Sequence, residues 1–177
     1  MTKGKWQFLK IKDYPIKIID GDRGSNYPTK EEFSEEGFCL FLNTGNVTLN
    51  GFEFSNLSFV TKQKHEKLRK GHLVRNDIVL TTRGTIGNCA LYNSNVPYDV
   101  VRINSGMLIL RPETDKLDAH FFYQLIKSSV FQQQAELFSY GAAQPQLPIG
   151  TLNFIRLPLP PLPTQKRLRW FCRLMMI

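Results

Sequence analysis

The alternation of apolar and polar positions divides the chain into many short strands and a few helices. Phe38-Cys39-Leu40-Phe41-Leu42 is an unbroken apolar run, which predicts a strand buried on both faces. Val47-Thr48-Leu49 and Phe52-Glu53-Phe54 flank Asn50-Gly51, a pair that tolerates positive φ and so predicts a hairpin. Further strands are expected over 77–82, 86–92, 107–111 and 154–157. Arg83-Gly84-Thr85 forms the corner between the first two. Residues 5–28 interleave short apolar stretches with a polar turn, Asp20-Gly21-Asp22-Arg23-Gly24-Ser25-Asn26, read as a surface loop.

Three helices are expected. Thr29 and Glu32 have capping-box spacing and Gly37 follows as a stop, which predicts a short helix over 29–36. A polar helix spans 61–68 and closes before Gly71. Leu117, Phe121, Phe122, Leu125, Ile126 and Val130 recur three and four apart, predicting one amphipathic helix over 117–134 with a single buried face. Residues 141–148 read as a loop. Pro158-Leu159-Pro160-Pro161-Leu162-Pro163 then reads as a stiff extended connector that ends both helix and ladder and closes the domain. No solenoid-period repeat is visible. The expectation is a single α+β domain over 1–163, β-rich with one packed amphipathic helix.

Composition narrows the class. Of 177 residues, 42% are hydrophobic and 12% aromatic, enough to bury a core and to exclude disorder over most of the length. Lys and Arg total 23 against 15 Asp and Glu, and the formal charge of +8 favours polyanionic partners through counterion release. Cys39, Cys89 and Cys172 are odd in number and widely spaced, so they read as small buried hydrophobes in a reducing cytosol. No apolar run approaches the roughly 18 residues that span a bilayer, and the basic start carries no signal peptide. The expectation is a cytoplasmic chain without a membrane partner.

The patterns of catalysis fail one by one. The chain has no P-loop, no G-x-S-x-G elbow and no H-E-x-x-H. No Asp or Glu has Lys two positions later, as a restriction-type nuclease site needs, and no Asn or Asp precedes Pro-Pro-aromatic as in amino-methyltransferases. His65 and His72 lie in a basic stretch and read as solvated; His120, beside the core helix, reads as structural. The chain is expected to be non-catalytic, with no cofactor and no metal of its own.

Four regions carry binding chemistry. Lys62, Lys64, Lys67, Arg69, Lys70 and Arg75 suit phosphate contacts, or a solvated helix face. Thr82 and Arg83 sit at a glycine-flanked corner, where Arg can donate two bonds to guanine; internal pairing is the alternative. Gly84 and Gly87 also fit the G-x-x-G clamp of RNA-binding KH domains, without its basic flanks. Tyr140-Gly141-Ala142-Ala143-Gln144-Pro145-Gln146-Leu147 offers Gln144 and Gln146, which can pair with adenine or hold neighbouring backbone. The loops with Arg23, and with Asn43 and Asn46, are rich in amides and hydroxyls, as ordinary turns also are.

Taken in order, these segments resemble the target recognition domain of the specificity subunit of type I restriction–modification systems. The matching segments are Phe41-Leu42-Asn43-Thr44-Gly45-Asn46-Val47, Lys70-Gly71, Asp77 to Gly87 and Asn104-Ser105-Gly106. Gly141 to Leu147 and Leu157 to Arg167 complete the set. The resemblance implies recognition of one half of a split site in double-stranded DNA through the major groove. It also implies modification (methyltransferase) subunits and a restriction subunit as partners, which supply the chemistry, the S-adenosylmethionine and the ATP. Specificity subunits usually carry two such domains joined by long helices. Here 164–177 is read as the start of that helical spacer, truncated, with a second specificity half as a further expected partner. Two rivals stand beside this reading: a docking module for a modification subunit with little affinity for DNA, and a nuclease fragment.

Overall fold

The computed structural model describes residues 6–139 and 146–174, with side chains to residue 169. In chain order it forms β1 (Gln7–Lys10), β2 (Ile16–Asp20), β3 (Cys39–Leu42), β4 (Val47–Thr48), β5 (Gly51–Phe52) and β6 (Phe59–Val60). Helix α1 (Lys62–Lys67) precedes β7 (Ile78–Thr81), β8 (Cys89–Leu91), β9 (Val101–Ile103) and β10 (Met107–Pro112). Helices α2 (Ala119–Lys127), α3 (Ser129–Ser139) and α4 (Ile149–Leu152), strand β11 (Arg156–Leu159) and helix α5 (Leu162–Leu174) complete it. The class is α+β, as expected.

Strand periodicity explains the layering. An antiparallel sheet runs β2-β10-β7-β8, and a smaller one runs β6-β3-β9 with β3 and β9 parallel. Alternate residues of the larger sheet point to opposite faces. Ile78, Leu80, Leu108 and Leu110 pack against Phe121, Phe122 and Ile126 of α2 and Phe131 of α3. Val79, Ile109 and Met107 face Leu40 and Leu42 of β3 and Val101 and Ile103 of β9. The outer face of β3, Cys39 and Phe41, is covered by Val60, Leu68, Tyr27 and Phe33. Both β3 and the apolar part of β10 are therefore buried on two sides, which is why they read as continuous apolar runs.

Several expectations need correction. The helix over 29–36 is only a 3-10 turn, Lys30–Glu32. Its box does form, with the Thr29 N–H donating to Glu32 Oε2 at 2.9 Å, but Ser34 then pairs with Phe59 and draws the chain into the sheet. The hairpin exists one residue out of register: Thr48 faces Gly51, so Leu49-Asn50 is the loop and Gly51, at φ 110°, starts β5. The helix over 117–134 is two helices, because Ser128 is extended at ψ 156° and its hydroxyl and N–H both donate to the Leu125 carbonyl. The strand expected at 154–157 is β11, which runs on through Pro158 opposite Phe8. A two-stranded edge ladder tolerates the missing N–H, and the Pro158 carbonyl accepts from the Tyr14 hydroxyl at 2.6 Å. Nor do the remaining prolines stop a helix, since Pro163 sits in the first turn of α5, where its absent N–H has no intrahelical partner to lose. The apolar stretches before the 20–26 loop form strands β1 and β2, and β9 lies outside every expected strand.

Candidate nucleic-acid interface

Both sheets end on one loop-rich edge. Thr81 at the end of β7 faces Met107 at the start of β10, and Asp20 at the end of β2 faces Leu108. Leu42 and Ile103, the ends of β3 and β9, are partners as well. The three residues Asn104-Ser105-Gly106 join β9 to β10, so the two sheets meet at this edge. The loops around Arg23, Asn43, Arg83 and Ser105 emerge there, together with Gln146 and Leu147. Gly21 permits the tightest approach: a Cβ on it would lie 2.1 Å from the Asn104 carbonyl oxygen.

Arg83 and Gln146 face each other in an isolated antiparallel bridge, and the Leu147 N–H donates to the Thr82 carbonyl at 3.0 Å. Directly opposed residues of an antiparallel pair project their side chains to the same side. Both are exposed, and with Asp20, Arg23 and Thr82 they line a cleft of 330 Å³. Arg23 is exposed and oriented by Asp20 Oδ1 at 3.2 Å and the Ser105 carbonyl at 2.9 Å. A guanidinium pair beside a carboxamide supplies donors and acceptors of the kind that base edges match.

Other candidates have internal tasks. The Thr82 hydroxyl is buried and donates to the Gly106 carbonyl at 3.0 Å. Asn46 is buried, accepts the Asn43 N–H, and donates to the carbonyls of Glu53 and Asn56. Lys64 pairs with Glu32 at 2.7 Å and donates to the Asn26 carbonyl. These three hold the fold, since their polar atoms are already matched inside the molecule. Asn43 is exposed, and its side chain closes a turn by accepting from Gly45 N. Lys62 and Lys67 are exposed on α1. Tyr140 and Gln144 lie outside the described residues.

Arg75 also departs from the phosphate-binding expectation. It stacks on Tyr92 at 4.3 Å and donates to Asp99 at 2.6 Å and to the carbonyls of Asn93 and Val96. His65 is half-buried beneath Arg102, whose Nε donates to its Nδ1 at 3.0 Å, so it is not a solvated side chain. Burial, then the Arg102 guanidinium, then His72 lower its pKa. His120 is exposed on α2, not packed in the core. Gly84 and Gly87 adopt φ of 72° and 89° and shape the turn after β7. Among the described residues no group of three His, Cys, Asp or Glu could hold a metal, and no helix is long and apolar enough to cross a membrane.

Two residues at this edge escaped the sequence. Asp22 is buried and accepts the N–H groups of Gly24, Arg69 and Lys70 at 2.8, 2.7 and 3.3 Å. Arg102, buried in β9, donates to the carbonyls of His65, Leu68 and Lys70. Only the strand pattern Val101-Arg102-Ile103 hints at this, since alternation turns Arg102 away from its apolar neighbours.

Comparison with known proteins agrees with the architecture. The model of the type I restriction modification DNA specificity domain matches residues 3–168. A putative type I restriction enzyme MjaX specificity subunit from Methanocaldococcus jannaschii is 26% identical over 170 residues, covering 92% of this chain and 37% of that protein. The MjaVIII specificity subunit of the same organism is 28% identical over 166 residues, covering 91% and 37%. The chain thus spans under two fifths of the length of these relatives. Among solved structures, the HsdS subunit from Thermoanaerobacter tengcongensis superposes with a TM-score of 0.69 at 18% identity, covering 99% of this chain and 38% of that one. A chain from a study of complex assembly and conformational transition of the type I R-M system gives 0.71 at 16% identity, covering 99% and 40%. With a family match over nearly its whole length, the chain belongs to the type I restriction–modification DNA specificity domains.

Proposed function

We propose that this chain recognises a short sequence in double-stranded DNA through the loop edge of its sheets, as a specificity component of a type I restriction–modification assembly. Arg83 and Gln146 face base edges in the major groove, and Arg23 stands beside them. Tyr140 and Gln144, close to Gln146 in sequence, are the further candidates for that contact. The exposed ammonium groups of Lys62 and Lys67 add favourable potential toward the phosphates, and Asn43 borders the groove. Residues 1–163 act as the recognition domain and residues 164–177 begin a helical spacer toward a second specificity half. Modification and restriction subunits carry the reaction in the cytoplasm, and this chain contributes none of the bond chemistry.

The observation that carries the reading is the Arg83–Gln146 bridge. It brings residues 63 positions apart to one side of one cleft, with Arg23 in its wall. Titration of duplex DNA with the 177-residue chain across about 50 to 200 mM salt is the test. Recognition predicts tight binding that weakens steeply with salt. A chain that binds a modification subunit but no duplex at low salt is a docking module, and the reading fails.

A further inference from the structure

Two buried charges of opposite sign lie on either side of the segment 68–70. Each is bonded to that segment's backbone. Asp22, 4% exposed, accepts the N–H groups of Arg69 and Lys70. Arg102, 5% exposed, donates to the carbonyls of Leu68 and Lys70 at 2.9 and 2.6 Å. Burying an ionised group is costly, and a helix exit is ordinarily closed by glycine or water. What this arrangement fixes is a corner whose own side chains, Arg69 and Lys70, are exposed.

That corner adjoins the reading cleft. Arg23, Arg69 and Lys70 line a second cleft of 280 Å³ with Asp20, Gly21, Asp22 and Gly24. Asp20 and Arg23 line both clefts. The two carboxylates are already matched, Asp22 by backbone N–H groups and Asp20 by Arg23. Arg69 lies over Gly24, where a Cβ would stand 2.9 Å from its Nη2. Three cations therefore meet beside Arg83 and Gln146 with room for an anion.

We infer that Arg23, Arg69 and Lys70 seat a DNA backbone phosphate, and that Asp22 and Arg102 are positioning residues holding this seat at a set distance from the base-reading cleft. The inference rests on the DNA-recognition reading above. It moves the anchor away from the lysines at the start of α1. The Lys62 ammonium lies 5.9 Å from the Phe38 ring, next to the start of β3, whereas the reading edge lies at that strand's far end. Helix α1, six residues and about 9 Å long, separates Lys62 from the exit at residues 68–70. Phosphate contacts set register, and a rigid seat beside the reading side chains fixes which base pair they meet.

The test titrates a random-sequence duplex pool with the 177-residue chain and variants over a salt series. Each phosphate that is no longer neutralised lowers the slope of log affinity against log salt by about 0.9. Arg69→Ala/Lys70→Ala is expected to lower the slope by about one to two such steps, to weaken all sequences alike, and to lower the slope more than Lys62→Ala/Lys67→Ala does. Asp22→Asn, which keeps its shape, lowers the slope while every surface cation is still present, an effect that loss of stability alone does not produce. Should that variant fail to fold, Arg102→Lys gives the same reading. A wild-type slope in Arg69→Ala/Lys70→Ala, or an equal or larger loss in Lys62→Ala/Lys67→Ala, overturns the anchor and leaves DNA recognition standing. A wild-type slope in folded Asp22→Asn overturns the positioning role. Absence of duplex binding by the unaltered chain instead removes the recognition reading itself.

Discussion

Asp22 Oδ2 accepts the backbone N–H of Arg69 at 2.7 Å, and through that bond the loop after β2 holds the exit of α1, 47 residues further along the chain. Burial opposes ionisation of Asp22, but the N–H groups of Gly24, Arg69 and Lys70 outweigh it and keep the carboxyl below its usual range. Replacing Asp22 by Ala leaves those donors without their acceptor. The expected loss is about 1–3 kcal/mol, read as a lower urea midpoint at unchanged slope.

Acid should expose the same group. Its folded-state pKa lies below the unfolded value of about 3.9, so its stabilisation is complete above that value and is lost as pH falls through the folded-state pKa. Urea midpoints should drop less steeply below about pH 4 in Asp22→Asn than in the unaltered chain. Parallel curves would contradict the assignment.

His65 gives a second pH dependence, at higher pH. Its pKa is lowered by burial, by Arg102 and by His72, so the folded state favours the neutral ring that accepts from Arg102 Nε. Stability tied to this ring is present above the unfolded pKa of about 6.5 and declines as pH falls from there toward the folded-state value. In His65→Gln the decline between about pH 6.5 and 5 should be smaller, again by urea midpoint.

Gln165 fastens α5 to the start of α2. It is buried, its Oε1 accepts the Asp118 N–H at 2.8 Å, and its Nε2 donates to the carbonyls of Pro160 and Lys116. Arg169 adds a bond to Asp118 at 3.0 Å. Gln165→Ala should cost about 1–3 kcal/mol and speed hydrogen exchange along α5 more than along β10. Equal acceleration in both would show that the contact is not local.

The core and the candidate residues Arg83 and Gln146 were legible for different reasons. Two-sided burial made β3 and β10 visible as apolar runs, and the loop composition pointed to Arg83 and Gln146. The break at Ser128 was hidden because the 3.6-residue periodicity continues across it from Leu125 and Ile126 to Val130. Strand β9 was hidden by a charged residue at its centre. Thr82, Asn46 and Lys64 look like surface chemistry in sequence, since a hydroxyl, amide or ammonium beside a turn reads the same whether its partner is a groove or a distant carbonyl. Their partners lie 24, 10 and 32 positions away in Gly106, Asn56 and Glu32. Asp22 reaches 47 positions to the backbone of Arg69, and Arg102 reaches 32 positions to that of Lys70; no local pattern encodes either bond.

The most direct measurement is selection of bound duplexes from a randomised pool, followed by sequencing, with the unaltered chain and with Arg83→Ala and Gln146→Ala. The unaltered chain should enrich one short pattern. Each variant should relax preference at one base pair, by about 1–3 kcal/mol, and at adjacent or nearby positions for the two, while the salt dependence of binding is largely kept. An enriched pattern that neither substitution changes, or no enrichment at all, would contradict base reading at the Arg83–Gln146 cleft.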